Sequence, residues 1–119
     1  MDLATDSNGD ILIADAGTGL IRRYSPDFGL ATVNTGVVLD MPHGLDVTPE
    51  GSVVVAEMHA HRVILLDRNG KIVRLLGTGE PGDGHGQLDK PAAVLIHAGH
   101  LWIADLKNHR VVVTKWQHQ

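Results

Sequence analysis

One eight-residue motif occurs three times in this chain. Asn8-Gly9-Asp10-Ile11-Leu12-Ile13-Ala14-Asp15 returns 42 residues later as Glu50-Gly51-Ser52-Val53-Val54-Val55-Ala56-Glu57. It returns after a further 48 as Ala98-Gly99-His100-Leu101-Trp102-Ile103-Ala104-Asp105. Self-similarity at such a period restricts the chain to repeat architectures, in which a single unit cannot bury its own apolar faces and must stack on its neighbours. The longer second interval is absorbed mainly by the Gly-rich stretch 77–86.

Each copy opens with a short β-rich segment (3–5, 45–48 and 94–96), passes a turn holding Gly9, Gly51 or Gly99, and enters a strand ending in Ala-Asp or Ala-Glu. After a second turn come 21–24, 63–66 and 111–114. In the first two copies, Ser25-Pro26-Asp27-Phe28-Gly29 or Asp67-Arg68-Asn69-Gly70 then leads to a fourth segment, 30–33 or 72–76. Short strands joined by tight turns form antiparallel meanders, and no stretch sustains a helical period with caps. Four strands in a period of 40 to 45 residues is the pattern of a propeller blade. Val53-Val54-Val55-Ala56 lacks a polar face, as expected of a strand covered on both sides. The expected fold class is therefore all-β, with four-stranded antiparallel blades at 1–40, at 41–89 including the Gly-rich linker, and at 90–119.

Within this frame, Pro42-His43-Gly44-Leu45, His61-Arg62-Val63, and Ile103-Ala104-Asp105-Leu106-Lys107-Asn108-His109-Arg110-Val111 can be read together. The chain resembles the NHL-repeat β-propellers over essentially its whole length, with Asn108-His109-Arg110 as the Asn-His-Leu-type segment. The first copy departs from the pattern, with Gly19-Leu20 where the others have His61-Arg62 and His109-Arg110. The resemblance implies a ring of about six blades, against four, four and three strands here, so an incomplete ring is expected. Its open edges would be covered either by the remaining blades of a longer chain or by a second copy related by a two-fold axis.

The balance of 10 Lys+Arg against 14 Asp+Glu, with only four aromatic residues, makes nucleic acid an unlikely partner by composition. Absence of cysteine excludes thiolate metal sites and a Cys nucleophile. Runs such as Val63-Ile64-Leu65-Leu66 are too short for a membrane span, and a soluble protein is expected.

In an antiparallel blade, the start of the first strand, the end of the second, the start of the third and the end of the fourth share one edge. That edge collects His43, His59 and the linker residues Asp83 and His85, which become the candidate binding residues. Asp15, Glu57 and Asp105 recur at one position. They are therefore expected to be structural, accepting N–H groups of the following turn or pairing with Arg62 and Arg110; His61 and His109 are expected to be structural by the same argument. His43 does not recur, its equivalents being Met1 and Ala92. Imidazole is a common ligand of catalytic zinc, so His43 is the candidate metal ligand. Pro42-His43-Gly44-Leu45 is similar to the Pro-His segments of the peptidylglycine amidating lyases, a branch of the NHL propellers, and that resemblance implies zinc near the ring axis. The bland alternative is a turn histidine bonded to a neighbouring backbone. The 77–86 stretch fits a linker, or a lid over a small-molecule or peptide ligand. His97, His100 and His118 carry no functional expectation, and Ser7, Ser25 and Ser52 sit at turns where no catalytic triad can be argued. A metal-dependent lyase and a non-catalytic recognition scaffold both remain open.

Overall fold

The structure is a computed structural model that describes residues 2–6, 8–33 and 38–116; Met1, Ser7 and His118 lie outside the described residues. Among the described residues, eleven strands form three antiparallel sheets. The first holds β1 (Asp2–Thr5), β2 (Ile11–Asp15), β3 (Leu20–Ser25) and β4 (Gly29–Thr32), and the second β5 (Pro42–Val47), β6 (Val53–Glu57), β7 (Arg62–Leu66) and β8 (Ile72–Leu76). The third holds β9 (Pro91–His97), β10 (His100–Asp105) and β11 (Arg110–Lys115). In each sheet, strands adjacent in sequence are adjacent in space, as tight turns require. Among the described residues, the three sheets do not close a ring.

Two features differ from the sequence expectation. The first strands of the second and third sheets begin three residues earlier than expected, at Pro42 and Pro91. A proline costs no ladder bond at the first residue of a strand. In β5, Pro42 lies opposite Glu57 and Gly44 opposite Ala56, so His43 is an extra residue in a bulge. In β9, Pro91 lies opposite Asp105 and Ala93 opposite Ala104, which makes Ala92 its counterpart. The links between second and third strands also contain single 3₁₀ turns, Met58–Ala60 and Leu106–Asn108.

The apolar residues of the middle sheet alternate between two cores. Val53, Val55, Ile64 and Leu66 pack with Leu12, Ala14 and Ile21 of the first sheet. Val54, Ala56, Val63 and Leu65 pack with Val94, Leu101 and Ile103 of the third. A one-residue slip would exchange these sets, so the two-sided packing fixes the register. Contact between sheets includes their first strands, β1 against β5 and β5 against β9. Carboxylates cross these seams: Asp2 Oδ2 accepts the Leu45 N–H at 3.0 Å, and Asp46 Oδ2 accepts the Ile96 N–H at 2.7 Å. The sheets thus stack as wedges joined along their first strands.

Gly44 permits the closest of these approaches. A Cβ there would lie 2.6 Å from the Ala92 carbonyl oxygen and 2.7 Å from the Ala93 Cα. Both are backbone atoms that cannot rotate away. Gly44→Ala is therefore expected to cost about 2 kcal/mol by overpacking, read as a lower urea midpoint with an unchanged slope. An unchanged midpoint would mean that β5 and β9 are farther apart than described.

Candidate functional site

Where first strands begin and second strands end, the second and third sheets carry the buried carboxylates Glu57 and Asp105. Asp105 is 0% exposed. Its Oδ1 accepts the Asp89 N–H at 2.7 Å, and its Oδ2 accepts Asn108 Nδ2 and Arg110 Nε, both at 2.8 Å. Arg110 also donates to the Asp83 carbonyl from Nη1 at 3.0 Å and to the Gln87 carbonyl from Nη2 at 2.8 Å. Glu57 is built alike: Arg62 Nε donates to its Oε1, and the Asp40 N–H to its Oε2 at 2.7 Å. Only Asp15 takes an N–H from the following turn, that of Gly17 at 3.1 Å. The other two reach back to the segment that precedes their own first strand.

The departure of the first copy has a backbone cause. Gly19, His61 and His109 occupy equivalent positions with φ of 73°, 54° and 52°. This left-handed corner is open to glycine and is tolerated by histidine more readily than by bulkier residues. In the first sheet glycine is also needed for space, because a Cβ on Gly19 would lie 2.5 Å from the Leu39 carbonyl oxygen. In the second, His61 uses its side chain: Nδ1 accepts the Lys90 N–H at 3.2 Å and lies 3.4 Å from Asp89 Oδ1.

These partners expose a motif that the sequence analysis missed. Leu39-Asp40-Met41-Pro42 recurs 49 residues later as Leu88-Asp89-Lys90-Pro91. Each leucine is 3% exposed and is buried in the seam with the preceding sheet, Leu39 in the core holding Ala14 and Ile21, and Leu88 in the core holding Ala56 and Val63. The following aspartate N–H is held by the carboxylate of its own sheet. Leu-Asp-x-Pro is therefore a latch between consecutive sheets. Aligning from the prolines backwards would have found it.

His43, half-buried in its bulge, has its Nδ1 3.0 Å from the carbonyl oxygen of Ala92, the equivalent residue of the next sheet. A carbonyl only accepts, so Nδ1 is the donor of this bond, and in a neutral ring Nε2 is left with a lone pair. The exposed His59 follows β6: the Met58 N–H donates to the Met41 carbonyl at 3.1 Å, and His59 Nδ1 is 3.9 Å from Asp40 Oδ1. Asp83 and His85 are exposed in the linker. That linker lies over the third sheet, fastened by Arg110 and by Asn108 Nδ2 donating to the Gly82 carbonyl at 2.8 Å. His85 borders a cleft of about 360 Å³ with Leu76, Leu88, Ile103 and Val112, which His43 and His59 do not line. Among the described residues, no three His, Cys, Asp or Glu side chains converge as a metal shell. No described helix is long and apolar enough to cross a membrane.

No family model and no curated protein matches the sequence. Solved structures do match. A catalytically inactive histidine-to-alanine variant of virginiamycin B lyase from Staphylococcus aureus, crystallised with quinupristin, is 12% identical over 96% of this chain and 39% of its own, with a TM-score of 0.73. A streptogramin B lyase is 18% identical over 95% of this chain and 39% of its own, at 0.72. A Bacteroides caccae protein of unknown function is 20% identical over 95% and 44%, at 0.70. The chain spans about two fifths of the length of these structures. At such identity the likeness shows the fold alone: the three sheets are consecutive blades of a β-propeller.

Proposed function

We propose that this chain forms part of a ligand-binding β-propeller whose strand-entry face takes a small molecule or peptide, with His43 as one ligand of a divalent metal, zinc first among candidates. The observation that carries this is the hydrogen bond between His43 Nδ1 and the Ala92 carbonyl. The Nδ1–H is committed to that carbonyl, the usual second-shell arrangement of a metal-binding imidazole, and Nε2 is left to coordinate. The bulge sets His43 apart from the ladder in β5, the strand at one edge of its sheet. His43 fits as a single donor, and among the described residues no group of three His, Cys, Asp or Glu side chains would complete a zinc site. When bound, such a metal polarises a substrate oxygen. His59, Asp83 and His85 then serve as polar contacts at the rim, with the linker as a cover.

The amidating-lyase branch of the NHL propellers is the finer form of this proposal. The lyases among the structural neighbours make an enzyme the more interesting reading to test, although their names carry no substrate over to this chain. The second reading is a recognition scaffold without catalysis, favoured by the lack of a complete donor group among the described residues.

Elemental analysis of the full protein separates the two. Stoichiometric zinc that falls at least tenfold in His43→Ala, with the fold intact by circular dichroism, supports the metal reading. Metal-free folded protein, or zinc unaffected by the substitution, overturns it and leaves the scaffold.

A further inference from the structure

Among the described residues, the latch sockets of the first two blades are filled, and that of the third is open. Leu39 joins the core containing Ala14 and Ile21, and Leu88 joins the core containing Ala56 and Val63. The equivalent residues of the third blade are Ala104 and Val111. Together with Asp105, Leu106, His109 and Arg110 they border a cleft of about 350 Å³. Val111 is 63% exposed, where Val63 is 1% and Ile21 0%. His109 repeats the backbone corner of His61, but its side chain is exposed, whereas His61 Nδ1 takes the N–H of the residue before a proline. Trp102 and Val113 extend the same face. Their counterparts Val54 and Leu65 are buried against the following blade, while Trp102 and Val113 are 38% and 45% exposed.

We infer that this cleft is a docking socket for the linker of a further blade, an extended segment with leucine three residues before a proline in the pattern Leu-Asp-x-Pro. Its leucine enters between Ala104 and Val111, and the N–H of the residue before its proline reaches His109 Nδ1. The two filled sockets are the template, and the continuous apolar face receives the strands that follow. A second copy of this chain is the poorer occupant, because its own Leu39 and Leu88 are already buried between its own blades. The inference rests on packing and stands independently of any metal at His43.

The test uses the intact chain and a synthetic peptide of its own residues 86–97, which carries Leu88-Asp89-Lys90-Pro91. Amide shifts are recorded by NMR, together with the fluorescence of Trp102. The expected result is a saturable change centred on Ala104, Leu106, His109 and Val111. Binding should be about tenfold weaker or worse when the peptide's leucine is alanine, since burial of that side chain supplies most of the gain. His109→Gly, which keeps the left-handed corner, should weaken binding several-fold without unfolding the chain. Equal binding of the leucine and alanine peptides overturns the inference. So do shifts at the filled sockets instead, or none at millimolar peptide. The same shifts appearing with protein concentration alone would assign the face to a second copy and overturn it as well.

Discussion

Replacing Asp105 by alanine is expected to lower the unfolding free energy by about 3 kcal/mol, among the largest effects of any single substitution in this chain. The side chain is fully buried and accepts three hydrogen bonds, one of them from a guanidinium. Its loss strands the Asp89 N–H at the end of the latch and removes the charge that aims Arg110, whose other donors hold the Asp83 and Gln87 carbonyls of the linker. Arg110 is about a third exposed, and water recovers part of its solvation, which keeps the expected loss at the lower end for a broken buried pair. Asp105→Asn retains an acceptor for the Asp89 N–H and is expected to cost about half as much. Urea unfolding with both variants checks this. Equal losses for alanine and asparagine would show that charge, rather than anchoring of the latch, is what the carboxylate supplies.

Leu88→Ala should cost about 3 kcal/mol, the usual outcome when a fully packed leucine is truncated between elements that cannot collapse onto the cavity. Leu88 fills the seam between the second and third blades beside Ala56, Val63 and Ile103. Leu39→Ala removes the same part from the first seam and should cost a similar amount. Leu106→Ala is the matched control: its side chain is 53% exposed beside the open socket, and a change within about 0.5 kcal/mol is expected. If Leu106→Ala proved as damaging as Leu88→Ala, the third socket would already be occupied and the difference between the seams would vanish.

The strand count and the order within each sheet were legible because each module punctuates itself. Gly9, Gly51 and Gly99 mark the first turn, and all three have positive φ, a conformation that glycine adopts at little cost. The two-sided burial of the middle sheet was legible in Val53-Val54-Val55-Ala56, which offers no polar face. The bulges at His43 and Ala92 were not, since period-two alternation cannot register an extra residue, and Pro-His-Gly reads locally as a turn. The pairing of Glu57 with Arg62 and of Asp105 with Arg110 was legible, but their backbone partners were not. A carboxylate at a strand end has an adjacent turn within easy reach, yet these two bond backward across 17 and 16 residues to Asp40 and Asp89. Such contacts are set by how the sheet folds back on its own linker, which local propensity does not contain. The bond between His43 Nδ1 and the Ala92 carbonyl joins residues 49 apart in neighbouring blades and is equally long-range.

The three sheets are wedges seamed along their first strands. Amide hydrogen exchange at Leu45 and Ile96 tests this arrangement most directly. In β5 and β9 these N–H groups have no strand to bond and instead donate across the seams to Asp2 and Asp46. Slow exchange is expected at both, with Ile96 becoming fast in Asp46→Ala while its neighbours paired to β10 stay slow. Fast exchange of Leu45 and Ile96 in the unaltered chain, at the rate of solvated edge amides, would contradict it.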